Sequence, residues 1–329
     1  RLSAGKRTAP QNSMKVLVTG GAGFIGSHLV EALLDDGHEV VCVDNMNDYY
    51  DVSLKEARLA RFKDKVSFYK VDIADMTALE GVFQQHQFDA IAHLAAQAGV
   101  RYSLEAPLVY VDTNVRGTVC VFECARKYGV KNIVMASSSS VYGEIEGGEP
   151  FSEDFSPNKP ISIYAATKRA TELLAYTYHH LYGLNITKLR FFTAYGPYGR
   201  PDMALFKFVT NILGEKPIDV YAEGNQERDF TYVSDIVDGF MLALKKPLGF
   251  SVLNLGAGNP VKLLDFIEVI EQVLGVTAEK NLLPAQQGDV ARTYADISKA
   301  SRELGYKPKI SIKDGVEKFV QWYRKYYTM

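Results

Sequence analysis

The chain has 329 residues, which is enough for one large or two medium domains with a buried core. Its 37 basic and 39 acidic residues give a formal net charge of -2 and form no long block of one sign. This balance argues against a surface for nucleic acid or for an anionic membrane. No apolar run approaches the roughly 18 residues of a spanning helix, so we predict no membrane contact for this chain.

The three cysteines and six histidines indicate a reduced protein without a metal site. Cys42, Cys120 and Cys124 lie in apolar segments, which suits a cytoplasmic location better than a disulfide framework. The histidines show none of the spacings of zinc sites, so no metal is predicted. Residues 1–13 are polar and lack an apolar stretch. We interpret them as a disordered lead-in or a leftover of expression.

A short β-branched run, residues 15–19, opens an alternation of strands and helices. Three glycines follow with the spacing G-x-x-G-x-x-G, namely Gly20, Gly23 and Gly26, and the second strand ends on Asp44. Such glycines let backbone N–H groups approach a pyrophosphate at a helix N-terminus. The carboxylate of Asp44 can accept hydrogen bonds from ribose hydroxyls, and its charge repels a 2′-phosphate. The pattern therefore favours NAD over NADP.

Further strand patterns occur over residues 66–71, 90–94, 132–136 and 184–192, and helical patterns separate them. This alternation predicts an α/β fold with a Rossmann-like, doubly wound parallel sheet, whose ligands bind at the carboxyl ends of the strands. From residue 193 the elements become shorter. We predict a dinucleotide-binding domain over residues 14–192, to which segments near 230–258 return, and a smaller mixed α/β substrate-binding lobe that is interleaved with it and formed mainly by residues 193–329.

Tyr164 and Lys168 are four residues apart in a helical pattern, so both side chains lie on one face. A phenol ionises near pH ~10, and a nearby ammonium favours the phenolate, which makes the pair a candidate general base. The pair alone is common on amphipathic helices, and four serines after the fifth strand, residues 137–140, could form an ordinary polar loop.

In their order, the glycine turn, the acid, the serines and the Tyr/Lys pair resemble the extended short-chain dehydrogenases/reductases. The resemblance implies that Tyr164 is the base, that Lys168 assists it, and that Ser138 hydrogen-bonds the reacting sugar oxygen. It also implies an NAD site formed by the glycine turn, the helix start and the following strand ends, with Tyr164 and Lys168: Gly20, Gly23, Phe24, Ile25, Gly26, Asp44, Asn45, Asp72, Ile73, Leu94, Ala95, Ala96 and Asn114.

Three stretches, residues 44–51, 95–103 and 200–204, resemble the UDP-glucuronate 4-epimerases, and the likeness covers nearly the whole chain. It implies reversible C4 epimerisation of UDP-glucuronate to UDP-galacturonate through a 4-keto intermediate with tightly bound NAD. A departure is Ala194, where the family has valine. Besides Ser138, the implied substrate contacts are Arg228 and Arg292 at the diphosphate, Ser139 and Thr193 at the sugar carboxylate, and Arg200 and Arg101 for charge selection.

Two alternatives remain: an epimerase for UDP-glucose or UDP-N-acetylhexosamine, and a catalytically silent NAD-binding scaffold. Neutral sugars offer no partner for an extra arginine, and silent relatives commonly lack the Tyr or the Lys. A 4,6-dehydratase would carry an Asp-Glu pair where this chain has Ser139 and Ser140. A decarboxylating enzyme would place a glutamate in the same loop.

Relatives of this kind are often dimers through two long helices that pack as a four-helix bundle. Here those helices would begin near Pro107 and Pro160. Val119, Phe122 and Leu173 suit their apolar faces, so the resemblance implies a homodimer.

Overall fold

The structure is a computed structural model that describes residues 13–328. The lead-in predicted over residues 1–13 therefore lies outside the described residues, apart from Ser13. The strands are β1 (Lys15–Thr19), β2 (Glu39–Asp44), β3 (Ser67–Lys70), β4 (Ala90–His93), β5 (Asn132–Ser138), β6 (Asn185–Phe191), β7 (Thr193–Tyr195), β8 (Ile218–Val220), β9 (Glu227–Tyr232), β10 (Phe250–Leu255), β11 (Pro260–Lys262) and β12 (Lys280–Leu282).

The α-helices range from four to 20 residues in length. They are α1 (Phe24–Asp35), α2 (Val52–Ala60), α3 (Met76–Gln85), α4 (Tyr102–Glu105), α5 (Pro107–Tyr110), α6 (Gly117–Lys127), α7 (Ile163–Tyr182), α8 (Ala204–Leu213), α9 (Val233–Lys245), α10 (Leu263–Leu274), α11 (Ser298–Leu304) and α12 (Ile312–Tyr326). Within residues 13–328, none of these helices is long and apolar enough to cross a membrane.

Seven parallel strands form the main sheet in the order β10-β6-β5-β4-β1-β2-β3. Strand β1 lies between β2 and β4, and Thr19 is paired with both Val43 and His93. The direction of winding reverses at β1, which leaves a crevice at the carboxyl ends of β1 and β4, where such folds bind ligands. The predicted doubly wound α/β fold is confirmed.

Both faces of this sheet are buried. In β1, Val16 and Val18 belong to one hydrophobic cluster and Leu17 belongs to another, because successive side chains of a strand point to opposite faces. Helices α1 and α9 contribute to the first cluster, and α3, α6 and α7 contribute to the second. A parallel sheet covered on both faces explains the nearly continuous apolar character of its strands.

The long helix predicted to begin near Pro107 is interrupted. Helix α5 passes into a π-helical stretch, Val111–Arg116, before α6 begins. The wider turn contains the buried Asn114. Such π-helical turns frequently occur at functional sites. The apolar periodicity does not reveal the interruption, since the same face stays buried on both sides of it.

The chain after β6 forms smaller sheets and also returns to the main one. Strands β11, β9 and β7 make a three-stranded mixed sheet, and β12 pairs with β8. Strand β10 pairs in parallel with β6 at the edge of the main sheet, and α9 packs against α1. These connections bring the segment after β7 close to the carboxyl ends of the main strands.

Candidate functional site

The turn after β1 packs closely against the loop after β4 and lines a cleft. Gly20 has a φ of +75°, and a Cβ at this position would lie 2.8 Å from the backbone nitrogen of Ala95. Helix α1 begins at Phe24 without a side-chain cap, so its first N–H groups lack a capping acceptor. Free N–H groups and the helix dipole favour an anion here. The turn therefore fits a pyrophosphate.

Asp44 ends β2 on the other side of the same cleft. Its carboxylate accepts hydrogen bonds from the backbone nitrogens of Ala22 at 3.1 Å and Met46 at 2.9 Å, which fix its orientation. Asn45 donates to the Asp72 carboxylate over 3.2 Å. With one exception, all the predicted NAD contacts line this cleft: Gly20, Gly23, Phe24, Ile25, Gly26, Asp44, Asn45, Asp72, Ile73, Leu94, Ala95, Ala96, Tyr164 and Lys168.

The exception is Asn114, which is buried behind the wall of the cleft. Its side-chain oxygen accepts from the backbone nitrogen of Gln97 at 2.7 Å. Its amide donates to the carbonyl of Gln97 at 3.2 Å and to the hydroxyl of Thr167 at 3.1 Å. Asn114 thus connects the loop after β4 to α7, and it supports the cleft without lining it.

Tyr164 and Lys168 lie in the first turns of α7 and both line the cleft. The Lys168 ammonium is 6.0 Å from the centre of the Tyr164 ring and donates to the carbonyl of Ala136 at 3.2 Å. Burial lowers the pKa of Lys168 to about 8, although the negative charge of Glu172 opposes this change. The ammonium is therefore near its own titration at neutral to mildly alkaline pH.

The pKa of Tyr164 is raised by burial of its phenol, and two interactions oppose that effect: the positive charge of Arg200 and a hydrogen bond with Ser138. The structure adds a second cation, Arg200, beside the phenol, and the assisting role of Lys168 stays a prediction. Because Lys168 is buried, its charge is little screened while it is protonated, but it loses that charge above about pH 8.

The predicted carboxylate contacts lie around the end of β5 and the start of β7. Ser138 ends β5, and its hydroxyl accepts from the nitrogen of Ser140 at 3.1 Å and from the Ser140 hydroxyl at 2.8 Å. Ser139 begins the following 3-10 turn. Thr193 lines a small apolar cavity beside the cleft, together with Ala194, so the departure from valine concerns the packing of this cavity.

Arg200 lines both the cleft and the apolar cavity. It forms a two-point ion pair with Asp202, in which Nε is 2.9 Å from Oδ1 and Nη2 is 2.7 Å from Oδ2. Asp202 also accepts from the Tyr49 hydroxyl at 3.2 Å. The Asp202 carboxylate thus fixes the Arg200 guanidinium beside Tyr164. The ion pair raises the pKa of Arg200, although burial opposes that change.

The remaining predicted arginines form a separate group around β9. Arg228 donates to the carbonyl of Glu227 at 2.8 Å, and Arg292 lies 3.1 Å from the Glu227 carboxylate. Arg101 pairs with Asp289 at 3.0 Å, and the charges of Asp289 and Arg101 both act on Arg228. None of the three lines the cleft or the apolar cavity. Ser138 and Ser139 also lie outside both linings, so Thr193 and Arg200 are the predicted substrate residues that line them.

Several residues that line the cleft were missed in the sequence. They include Asn47, Tyr49, Tyr50, Lys55 and Gln97. The signal for the first three was present, since residues 44–51 carried part of the family resemblance, but no role followed from it. Lys55 was missed because α2 was not recognised as a helix against the cleft.

The described residues contain no group of three or more His, Cys, Asp and Glu arranged to hold a metal ion. Cys42, Cys120 and Cys124 are free and buried. Burial raises the pKa of all three thiols, so none of them is a ready nucleophile.

A family model described as GDP-mannose 4,6 dehydratase matches residues 17–319. The chain belongs to this family. The resemblance to the extended dehydrogenases/reductases is thereby confirmed. An uncharacterised protein from Methanocaldococcus jannaschii is 52% identical, and the match covers 94% of this chain and 95% of that protein.

Two further relatives are named for their function. A UDP-glucuronate 4-epimerase from Thermodesulfobacterium geofontis is 48% identical over 93% of this chain and 95% of that protein. Among solved structures, the UDP-glucuronic acid 4-epimerase from Bacillus cereus, in complex with UDP-glucuronic acid and NAD, has a TM-score of 0.90 and 38% identity. That match covers 95% of this chain and 100% of the solved one.

Proposed function

We propose that this chain is an NAD-dependent UDP-sugar 4-epimerase that interconverts UDP-glucuronate and UDP-galacturonate. The observation that carries the proposal is the placement of Tyr164 and Lys168 in one cleft with the glycine turn and Asp44. Arg200 lies in the same cleft, which suits an anionic sugar. The relatives named above support the same substrate.

The cofactor is NAD, which would supply hydride transfer from and back to C4 of the sugar when bound. The glycine turn and the start of α1 would hold its pyrophosphate. Asp44 would accept from the adenosine ribose, and its charge would exclude a 2′-phosphate. Because hydride is taken and returned, no net oxidation occurs and none of the cofactor needs to be added.

Tyr164 is proposed as the general base. Its phenolate would take the proton of the sugar 4-hydroxyl during oxidation and give it back during reduction. The Arg200 charge and the Ser138 hydroxyl lower its pKa against burial, so both favour the ionised form. Lys168 would add a positive charge from below the phenol, and Ser138 would also hydrogen-bond the sugar oxygen.

Two features favour epimerisation over competing reactions of the 4-keto sugar. The loop after β5 carries Ser139 and Ser140, so it presents neither the acid pair of a dehydratase nor the glutamate of a decarboxylase. A 4-keto glucuronate is a β-keto acid, which loses carbon dioxide when its carboxylate bond aligns with the carbonyl π system. Hydroxyls of Ser139 and Thr193 would hold the carboxylate out of that alignment.

The arginine group around β9 is proposed to bind the UDP diphosphate. Arg228 and Arg292 carry planar guanidinium groups whose donors suit phosphate oxygens. The two residues lie close together because Arg292 forms a backbone bridge with Glu227, the residue before Arg228. Arg101 is held beside them through Asp289. UDP bound there would leave the sugar free to rotate and present either face to the cofactor. Residues 14–192 would mainly hold NAD, and residues 193–329 would mainly hold UDP.

An epimerase for neutral UDP-sugars would use the same Tyr164, Lys168 and NAD site. Against this alternative, a neutral sugar would offer no anionic group to the Arg200 guanidinium beside the reacting centre. A silent scaffold is disfavoured because Tyr164 and Lys168 are both present and lie together in the cleft.

Proton NMR of the purified protein with UDP-glucuronate, without added NAD, tests the proposal. The expected result is growth of UDP-galacturonate anomeric signals to a stable mixture with no UDP-xylose. Turnover of UDP-glucose or UDP-N-acetylglucosamine, without turnover of UDP-glucuronate, would make that neutral sugar the substrate instead. No reaction with any of the three, even after NAD is supplied, would instead favour the scaffold.

We also propose that the chain is a homodimer through the helices around residues 107–127 and α7. Leu108 is 76% exposed, Leu173 55% and Leu181 60%, so these helices present an apolar surface. Phe122, expected on that surface, is instead fully buried against Tyr178 in the same chain. Val119 is only partly exposed.

Light scattering after size exclusion tests the dimer. Leu173→Asp should give a monomer, whereas Val276→Asp, which alters an exposed valine elsewhere, should remain dimeric. A wild-type monomer would remove the proposal. A cytoplasmic location remains a prediction that rests on the three free cysteines.

A further inference from the structure

Helix α2 places two buried cations against the cofactor cleft, and the proposed function has given neither of them a role. Lys55 is 6% exposed and Arg58 is fully buried. They are three residues apart, so they share one face of α2. Within residues 13–328, neither forms an ion pair with a carboxylate.

Arg58 is bonded only to neutral groups. It donates to the carbonyl of Ala22 at 3.1 Å, to the carbonyl of Tyr198 at 2.7 and 3.0 Å, and to the Tyr50 hydroxyl. These bonds fix the glycine turn against the segment that leads to Arg200. Arg58 therefore has a structural role that accounts for its donors, and it acts on the cleft through Ala22.

Lys55 differs from Arg58 because its side chain lines the cleft. Its ammonium donates to the backbone carbonyl of Asn47 at 2.6 Å and to the Asn47 side-chain oxygen at 2.7 Å, and it lies 4.9 Å from the centre of the Tyr50 ring. An ammonium has three N–H donors. The side chain lines the cleft, so the third donor is available to a ligand there.

A buried ammonium without a carboxylate partner is costly unless something compensates its charge. Burial lowers the pKa of Lys55, and the nearby charges of Asp44 and Asp48 oppose that change while Arg58 adds to it. Asn47, which anchors the ammonium, follows Asp44 by three residues along the loop after β2. The ammonium is thus placed on the side of the cleft where the adenosine half of the dinucleotide would lie.

We infer that Lys55 is a cofactor-binding residue whose ammonium donates to the adenosine ribose beside Asp44. This inference rests on the proposed function, because it takes NAD as the ligand of the cleft. It has a consequence for cofactor choice. Lys55 would attract a 2′-phosphate that Asp44 repels, so the preference for NAD depends on Asp44 overriding a cation that is already present.

The first test measures NAD binding, without use of activity. Lys55→Met keeps the length and apolar stem of the side chain, and Lys63→Met, at an exposed lysine shortly after α2, is its control. The amount of NAD released from each purified protein and the Kd of stripped protein for NAD are determined. Loss of one charge-assisted hydrogen bond predicts a Kd about tenfold or more higher in Lys55→Met, with Lys63→Met unchanged.

Thermal unfolding separates this role from a purely structural one. Stripped Lys55→Met should be at least as stable as stripped wild type, since it removes an unbalanced buried charge, and it should gain less from saturating NAD. Destabilised stripped protein with an unchanged gain from NAD, or a Kd within twofold of wild type, would overturn the inference. Wild type that retains and binds no NAD would instead overturn the proposed function.

The second test concerns the ribose. Asp44→Asn should bind NADP more tightly than wild type, and adding Lys55→Met to that variant should reverse at least fivefold of the gain. If Asp44→Asn gains nothing, or if the gain is the same with and without Lys55, the ammonium does not lie beside the ribose.

Discussion

The Lys168 ammonium lies 6.0 Å from the centre of the Tyr164 ring, one turn further along α7, and its bond to the carbonyl of Ala136 fixes it beneath the cleft. At this distance from the ring, the lysine influences the phenol through its charge. In the proposed reaction Tyr164 would therefore exchange a proton with the sugar, while Lys168 and Arg200 would set how readily it does so.

Replacing Tyr164 with Phe should lower the epimerisation rate by about 10²- to 10⁴-fold, the usual contribution of a general base. The ring remains, so NAD content and the melting temperature should stay close to wild type. Tyr176→Phe, on the exposed side of the same helix, is the control. A Tyr164→Phe enzyme with more than a tenth of the wild-type rate would assign the proton transfer to another group.

The pH dependence follows from the two shifted groups. Burial raises the pKa of Tyr164, so its ionisation and the rate increase with pH. Burial lowers the pKa of Lys168 to about 8, so the ammonium is charged below that pH and lost above it. The rate should therefore pass through a maximum and decline above about pH 8, with apparent pKa values that belong to the pair.

Lys168→Met tests the assignment of the alkaline decline. The variant should be slower than wild type below about pH 8, where the wild-type ammonium is charged, and its profile from pH 6 to 10 should lack the decline. A profile with the same alkaline limb as wild type would show that another group is responsible.

Thr193→Ala should weaken the handling of glucuronate, because it removes a hydroxyl proposed to hold the sugar carboxylate. The expected result is a higher KM for UDP-glucuronate, or UDP-xylose as a by-product, with little change in NAD content. Steady-state kinetics and NMR of the products measure both effects. Unchanged kinetics and products would remove Thr193 from the site.

Glu172 and Arg190 form a buried two-point ion pair between α7 and β6, with Nη2 and Oε1 2.8 Å apart. Glu172→Gln leaves the guanidinium without a countercharge, so we expect a loss of about 3–5 kcal/mol in the free energy of unfolding. Glu172→Leu combined with Arg190→Met should recover much of that loss. Denaturant unfolding compares the two. Equal stability of wild type and Glu172→Gln would contradict this account of the pair.

The sequence predicted those parts of the site that depend on local pattern. The glycine turn, Asp44 and the Tyr164/Lys168 pair follow from spacing along single elements, and β1 begins and ends where the apolar run predicts. Strand ends in a parallel sheet meet at one edge, so their residues could be assigned to one cleft without coordinates.

Features that depend on contacts between distant segments were not predicted. The effect of Arg200 on Tyr164 and its pairing with Asp202 arise where the segment after β7 meets α7, which spacing does not show. Phe122 has the same apolar character as Leu173, yet one is buried by Tyr178 and the other is exposed. Lys55 was missed because the polar character of α2 hides a helix whose charged face lies inward.

The most direct test of the central claim uses UDP-glucuronate with deuterium at C4 of the sugar, incubated without added NAD. A hydride that leaves C4 and returns to the same carbon should give UDP-galacturonate with deuterium retained at C4, which NMR and mass spectrometry detect together. UDP-galacturonate in which the deuterium has exchanged with water would contradict the proposed C4 oxidation and reduction. Failure to form UDP-galacturonate would contradict the proposed substrate.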